Sequence, residues 1–113
     1  MKKQAQILVI LLGICFVVPQ LSGAWIEVKR WTGSGIKHTE SFTVTSDEWR
    51  IRWRAKGSGL FQIYVYKGSE LKTVAANQTE GSDDSSYISG SGRHKLTINC
   101  VGIKWTVVVE DER

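Results

Sequence analysis

Glu-Trp-Arg-Ile-Arg-Trp-Arg-Ala, at residues 48–55, alternates apolar and cationic side chains with a period of two. Successive side chains of an extended strand point to opposite faces of a sheet, so this period predicts a β-strand. One face holds Trp49, Ile51 and Trp53, and the other holds Arg50, Arg52 and Arg54. We therefore expect a sheet that buries one face in a core and exposes a row of guanidinium groups on the other.

Elsewhere in the chain, short runs rich in Val, Ile, Thr, Trp and Tyr are separated by clusters of glycine and serine. No stretch has the apolar period of a helix. This spacing is typical of all-β proteins, and we predict an antiparallel β-sandwich, jelly-roll-like, of about eight short strands. In the first strand the period is ambiguous, because Trp25 and Trp31 oppose Ile26 and Val28. The predicted strands are residues 25–31, 39–45, 48–55, 60–67, 71–76, 86–89, 94–101 and 103–110.

Lys56-Gly57-Ser58-Gly59 separates the third and fourth predicted strands, and such a sequence suits the loop of a β-hairpin. In the fourth strand Phe61, Ile63 and Val65 face inward, and Gln62, Tyr64 and Tyr66 face outward. Cross-strand neighbours in a hairpin lie about 4.5–5.5 Å apart. We therefore expect the arginine row and the two tyrosines to form one continuous Arg/Tyr face.

The chain begins with basic residues, Lys2 and Lys3, followed by an uncharged apolar run over residues 7–18 and then Pro19. A helix that spans a bilayer needs about 20 residues, so this run fits the hydrophobic region of a secretory signal peptide. Small residues at Ser22 and Ala24 suit cleavage after Ala24.

We accordingly predict a signal peptide at residues 1–24 and a single β-sandwich domain at residues 25–113. The domain would be exported, whether secreted, periplasmic or held at the cell surface. The alternative is that residues 1–24 remain attached as an N-terminal membrane anchor.

The charge and cysteine content narrow the function classes. Without residues 1–24, which hold two lysines, the formal net charge falls from +4 to +2, which differs from the strongly basic balance of dedicated nucleic-acid binders, so we do not expect a nucleic-acid partner. Cys100 is the only cysteine after residue 24, so the predicted mature chain cannot form an intramolecular disulfide. Because Cys100 shares its parity with Leu96 and Ile98, we expect a buried thiol.

Motifs along nearly the whole predicted domain carry a family resemblance. They are Gly33-Ser34-Gly35, Thr39 to Val44, Trp49 to Trp53, Phe61 to Tyr66, Gly92 to Leu96 and Trp105 to Val109. This pattern resembles small exported β-sandwich proteins of bacteria and archaea that mostly lack an assigned function. It is similar, more loosely, to the pre-peptidase C-terminal type of jelly-roll domain, although Gly92-Arg93-His94 replaces the usual Gly-Tyr-Tyr start of the penultimate strand. The resemblance implies an accessory or binding module and brings no catalytic residues.

The Arg/Tyr face is the first candidate binding site. Guanidinium groups at Arg50, Arg52 and Arg54 suit carboxylate and phosphate groups, and Tyr64 and Tyr66 could stack against sugars. The alternative is a solvated face, on which the arginines pair with acidic neighbours and the tyrosines are covered by another segment.

Three weaker candidates lie elsewhere. The polar loop at residues 80–86 could bind Ca²⁺ through Asp83 and Asp84, or could be a plain polar turn. Asn77 begins a glycosylation sequon, Asn77-Gln78-Thr79. His38 and His94 lie in no catalytic motif, so we predict neither an enzyme nor a cofactor.

Together these observations predict an exported, non-catalytic binding module. Its Arg/Tyr face would recognise an anionic polysaccharide, anionic lipid headgroups or another glycan surface, or a second envelope protein. The alternative is a structural envelope protein that associates with itself through sheet edges, or an accessory subunit of another exported protein. Anion binding should weaken as salt rises, whereas edge pairing should not.

Overall fold

The computed structural model describes residues 24–113, which form eight β-strands and no helix. Their bounds are β1 Trp25–Gly33, β2 Lys37–His38, β3 Phe42–Val44, β4 Glu48–Lys67, β5 Glu70–Glu80, β6 Asp83–Ser89, β7 Gly92–Cys100 and β8 Ile103–Glu112. All strand pairs are antiparallel, so the predicted all-β antiparallel class is confirmed. The predicted signal peptide, apart from Ala24, lies outside the described residues. Within them, no helix has the length and hydropathy needed to cross a membrane.

Strand β4 is the centre of the sheet and the main departure from the predicted fold. It continues through the expected hairpin loop as one strand of 20 residues. Its first half pairs with β6 and β8, and its second half pairs with β5 and β7. The hairpin prediction at residues 56–59 is therefore wrong, and the third and fourth predicted strands are two halves of one strand.

Two glycines explain why the chain bends at this point and does not reverse. Gly57 and Gly59 have φ values of +126° and +143°, a region that L side chains rarely adopt. A Cβ atom on Gly59 would also overlap the carbonyl oxygen of Val101 on the neighbouring segment. The Gly-Ser-Gly sequence thus permits a sharp bend between closely approaching backbones, a role that glycine has in curved sheets.

The bend brings the two ends of β4 to the same short connection between β6 and β7. Gly90 N donates to Asp47 O at 2.6 Å, just before β4 begins. Lys67 Nζ, at the end of β4, donates to Ser91 O at 3.3 Å. The sheet therefore curls on itself, and its two halves share one core on the concave side.

The core confirms the inward faces that the period of two predicted. Trp49 and Phe61 are fully buried, and the rings of Trp53 and Phe61 face each other across the bend at 6.3 Å. Cys100 is a buried free thiol, as expected. Other core side chains come from every strand except β2: Trp31, Val44, Ile51, Ile63, Val65, Ala76, Ile88, Leu96, Ile98, Ile103, Trp105, Val107 and Val109.

A β-bulge explains the ambiguous period of the first strand. A register shift on β1 leaves Val28 without a partner on β8. The extra residue reverses the parity, because two residues of the bulged strand oppose one on its neighbour. Trp31 is consequently buried in the core, while Trp25 lies on the convex side with its ring 4.2 Å from the Arg50 guanidinium.

Two other predicted segments differ from the structure. The polar loop expected at residues 80–86 is mostly strand, because β6 begins at Asp83 and pairs with the first half of β4. The strand expected at residues 39–45 is reduced to β3, and β2 precedes it. In both cases backbone pairing with a neighbouring strand, and not local composition, decides which residues are extended.

Candidate functional site

The outward residues of β4 lie on two convex surfaces that point away from each other. The first half presents Arg50, Arg52 and Arg54, and the second half presents Tyr64 and Tyr66. The inward side chains of both halves pack into one core between them, so the outward side chains diverge. The prediction of one continuous Arg/Tyr face depended on the hairpin and is therefore wrong.

Arg50 is part of the packing of the first half. Its side chain is only 18% exposed, and its Nε lies 2.6 Å from Glu110 Oε1. The Trp25 ring covers the guanidinium, which is a cation–π contact. Burial by itself would lower the pKa of Arg50, but the hydrogen bonds and charges of Glu110 and Tyr87 together outweigh burial, and the pKa lies above its ordinary value. This arginine is thus committed to a partly buried ion pair.

Arg52 and Arg54 are much more available. Their side chains are 56% and 72% exposed, and their ion pairs with Glu110 and Asp83 are both long, at 3.4 Å. Exposed ion pairs of this kind contribute about 0–1 kcal/mol, so an incoming anion can replace the partner at little cost.

A depression of about 550 Å³ crosses the convex side of the first half. Arg52 and Arg54 line it together with Arg30, which lies two strands away on β1. Arg30 pairs with Glu27 at 2.8 Å but remains 55% exposed. The β1 bulge places Arg30 on the convex side, so its contribution could not be read from the period of the sequence.

A second depression, of about 390 Å³, adjoins the first and shares Arg54 and Thr106 with it. Lys56 and Lys104 line this second depression, and they lie directly opposite each other on β4 and β8. Neither lysine forms an ion pair within residues 24–113. Like charges directly opposite on neighbouring strands are destabilising, so this arrangement costs stability unless an anion lies between them.

We name these five side chains the basic track: Arg30, Arg52, Arg54, Lys56 and Lys104. Sequence reasoning found two of the five. It assigned Lys56 to a hairpin loop and did not single out Lys104, which falls within the predicted strand at residues 103–110. The signal that could have found Lys56 is the unbroken period of two, which continues from Arg50 to Lys56.

The calcium candidates Asp83 and Asp84 are both exposed, and both line the first depression beside the basic track. Asp83 pairs with Arg54, and Asp84 Oδ1 accepts a hydrogen bond from Ser85 N at 2.8 Å. Calcium binding by these two carboxylates stays a prediction. No group of three or more His, Cys, Asp or Glu side chains suited to a metal ion occurs within residues 24–113.

The convex side of the second half carries neutral polar groups beside the tyrosines. Tyr64 and Tyr66 are partly buried, and the Tyr64 hydroxyl donates to Gln62 Oε1 at 2.8 Å. Gln62 in turn donates to Asn77 Oδ1 at 2.9 Å, and Asn99 donates to Gln62 at the same distance. Asn77 is exposed on β5, and its glycosylation stays a prediction, as does sugar stacking on the tyrosines.

Two buried titratable groups face the core side of β7 and β8. Burial alone would raise the pKa of Asp111, but hydrogen bonds from Ser46 and Thr45 hold that pKa well below its usual range. Burial lowers the pKa of His94, whose ring lies 4.8 Å from that of Trp49. His94 Nδ1 contacts Gly92 O at 3.1 Å, while His94 Nε2 is buried with no partner within the described part of the chain.

The histidines do not form a catalytic arrangement with each other. His94 is 1% exposed inside the core, whereas His38 is exposed and its Nδ1 contacts Thr97 Oγ1 at 3.1 Å. The absence of an enzymatic activity stays a prediction.

No protein-family model, curated protein or solved structure matches this chain.

Proposed function

We propose that this chain is an exported, non-catalytic module that binds a linear acidic polysaccharide along the basic track. The observation that carries this function is the placement of Lys56 and Lys104, which have no ion-pair partner within residues 24–113, directly opposite each other at the end of an arginine row. The cost of that juxtaposition would be offset by a ligand that brings negative charge to the same place.

The shape of the basic track favours a linear ligand. Alternate residues on a strand are about 6.8 Å apart, so Arg52, Arg54 and Lys56 extend over roughly 14 Å. Arg30 and Lys104 widen the row on the neighbouring strands. Such a row can neutralise several charges of one extended chain, and arginine binds carboxylate or sulfate oxygens in a bidentate manner.

A polysaccharide fits this surface better than a membrane does. Peripheral membrane binding normally adds buried apolar area to the attraction of the charges. The residues that line the two depressions include none of the large, strongly exposed apolar side chains of the described domain. Those side chains are Ile26, Ile36, Leu71, Val74, Tyr87 and Val101.

Single-stranded nucleic acid fits less well still. Proteins that bind it generally offer aromatic side chains on which bases can stack. The aromatic residues along the basic track, Trp53 and Trp105, are buried with exposed fractions of 6% and 4%.

Export and architecture complete the proposed function. The apolar run at residues 7–18 and the small residues before Trp25 support cleavage of a signal peptide. The two halves of the curled sheet enclose one core, which supports a jelly-roll-like sandwich as the finer description of the fold. A compact exported domain with a charged convex side suits a role at the cell envelope or outside the cell.

The test is binding of the purified protein to immobilised dextran sulfate, polygalacturonate and uncharged dextran, at low and moderate salt. We expect binding to the two acidic polymers that weakens as salt rises, and none to dextran. The double variant Lys56→Gln/Lys104→Gln should weaken binding about tenfold, because each exposed cation contributes about 0.5–1 kcal/mol.

Lys29→Gln/Lys37→Gln is the matched control, because it removes the same charge from positions that line neither depression. It should change the affinity less than about twofold. Equal losses in the two variants would contradict a site on the basic track. Tighter binding to phosphatidylglycerol vesicles than to either acidic polymer would replace the polysaccharide with a lipid surface.

A second candidate function is self-association through the β5–β6 edge of the sheet. Leu71 and Val74 on β5 are 52% and 43% exposed, and exposed apolar edge strands are templates for pairing. Light scattering across protein concentration tests it. A dimer that survives high salt and is lost in Leu71→Lys would support edge pairing, and a monomer at all concentrations would exclude it.

A further inference from the structure

Cations also collect on the opposite convex side, at the start of β7. Arg93 and Lys95 are both exposed, and their odd numbering places them on the side of Thr97 and away from the buried His94. Neither forms an ion pair within residues 24–113. Two unpaired cations spaced two residues apart on one strand lie about 6.8 Å apart, close enough to share one anionic group.

A depression of about 320 Å³ lies beside these two cations. Gly68 and Ser69, in the turn between β4 and β5, form one wall, and Ser41, between β2 and β3, forms another. Gly68 has a φ of +65°, and a Cβ atom there would meet nothing within 4 Å, so the space above the turn is open. The depression therefore brings a guanidinium, an ammonium and two hydroxyl donors to one open space.

Further positive charge surrounds this end of the molecule. Lys67 and Lys72 lie near the connection at residues 90–92, where Lys67 Nζ donates to Ser91 O. The charges of both lysines reach His94, which also lines the depression. Burial is the main reason why the pKa of His94 lies below its ordinary value, and Lys72 and Lys67 lower it further. Glu70, paired in register with Lys67, is the acidic side chain of the turn and does not line the depression.

We propose that this depression is a second anion site, in which Arg93 and Lys95 hold one sulfate, phosphate or carboxylate group with help from the hydroxyls of Ser41 and Ser69. A planar guanidinium can donate two parallel hydrogen bonds to such a group, and the ammonium adds a point charge.

The position of the second site gives it a distinct consequence. It lies on the second half of the curled sheet, whose convex side points away from the basic track. One molecule can therefore hold two acidic chains at once and cross-link them. The cross-linking, unlike the second site itself, rests on the proposed binding of acidic polysaccharide by the basic track.

The site is tested first with inorganic sulfate and amide NMR spectra of the intact protein. Titration into the Lys56→Gln/Lys104→Gln variant should shift the amide signals of Ser69, Arg93 and Lys95. The three amides lie away from the basic track, which this background also weakens, so the result is independent of the proposed function. Arg93→Gln/Lys95→Gln in the same background should abolish the shifts. Unchanged signals at these positions would overturn the second site, and shifts that persist without the two cations would do the same.

Cross-linking is tested by the turbidity of mixtures with long dextran sulfate chains. The wild-type protein should give a maximum at an intermediate ratio of protein to polymer, because excess of either component leaves single attachments. Arg93→Gln/Lys95→Gln should still bind dextran sulfate, with an affinity lowered less than about fivefold, and should give no turbidity. Turbidity equal to that of the wild type would overturn the cross-linking, since a different contact would then join the chains. Lys29→Gln/Lys37→Gln is again the control for charge and should behave like the wild type.

Discussion

The two halves of β4 bury nearly identical patterns and expose different chemistry. Trp49, Ile51 and Trp53 on one side of the bend correspond to Phe61, Ile63 and Val65 on the other, and all six are buried. The outward positions carry arginine and lysine in the first half, and glutamine and tyrosine in the second.

The neighbouring strands extend this difference across each half. Strands β1 and β8 add Arg30 and Lys104 to the first half, while β5 and β7 place Asn77 and Asn99 beside Gln62 in the second, with Arg93 and Lys95 at the far end of β7. A period of two thus determines which side chains form the core. The chemistry of the outer surface depends in addition on the residues that strand pairing places beside the outward side chains of β4.

A substitution that disrupts the glycine bend in β4 should lower the free energy of unfolding more than any other change considered below. Gly59→Ala places a Cβ atom against the Val101 carbonyl at a φ of +143°, so we expect a loss of more than about 3 kcal/mol in the free energy of unfolding. Urea denaturation measures it. Gly35→Ala is the control, because a Cβ atom there meets nothing within 4 Å, and it should remain within about 0.5 kcal/mol of the wild type. Equal stabilities of the two variants would mean that the halves are not joined by a tight glycine bend.

Within the first half, Arg50 and Arg54 should contribute differently to the free energy of unfolding. Arg50→Gln leaves Glu110 with one long ion pair and removes the contact with Trp25, so we expect a loss of about 1.5–3 kcal/mol in the free energy of unfolding. Arg54→Gln should cost less than about 0.5 kcal/mol, since its ion pair is exposed. Thermal denaturation at neutral pH separates them. If both variants are as stable as the wild type, Arg50 belongs to the binding surface and not to the packing.

Acid should act on the two halves in different pH ranges. Both His94 on β7 and Asp111 on β8 have lowered pKa values in the folded state, so the unfolded state binds protons more readily. Stability is then lost as pH falls below the unfolded pKa, which is about 6.5 for histidine and 3.9 for aspartate.

Between pH 7 and pH 5, His94 should therefore remove up to about 2 kcal/mol from the free energy of unfolding. His94→Phe keeps an aromatic ring beside Trp49 and should abolish this first phase while leaving the loss below pH 4 intact. Urea denaturation as a function of pH measures both phases. A first phase that survives in His94→Phe would assign it to another group.

The smallest effect is expected from the tyrosines. Tyr64→Phe/Tyr66→Phe removes the hydrogen bond from Tyr64 to Gln62 but alters no charge, so the affinity for dextran sulfate should change less than about twofold. Surface plasmon resonance measures the affinity, and the loss in the Lys56→Gln/Lys104→Gln variant is the reference for comparison. A loss as large as that of the lysine variant would restore the tyrosines to the polyanion site.

The all-β class, the inward faces of the strands and the burial of Cys100 could be predicted from the sequence, because alternation with a period of two indicates which side chains of a strand are buried. It was insufficient at Gly57 and Gly59, where the same residues suit a hairpin loop and a bend within one strand. That choice depends on whether β7 and β8 run along β4, which is a long-range pairing. Arg30 was missed for a similar reason, since the bulge at Val28 arises only from the pairing of β1 with β8.

The central claim is that the basic track on the first half, and not the surface around Gln62 and Tyr64 on the second half of β4, recognises acidic chains. Amide NMR spectra of the wild-type protein, titrated with a short sulfated oligosaccharide at low salt, test it most directly. We expect the amide signals of Arg54, Lys56, Lys104 and Thr106 to shift, and those of Gln62 and Tyr64 to remain in place. Shifts confined to the tyrosine side, or none on the basic track at saturating ligand, would contradict the account.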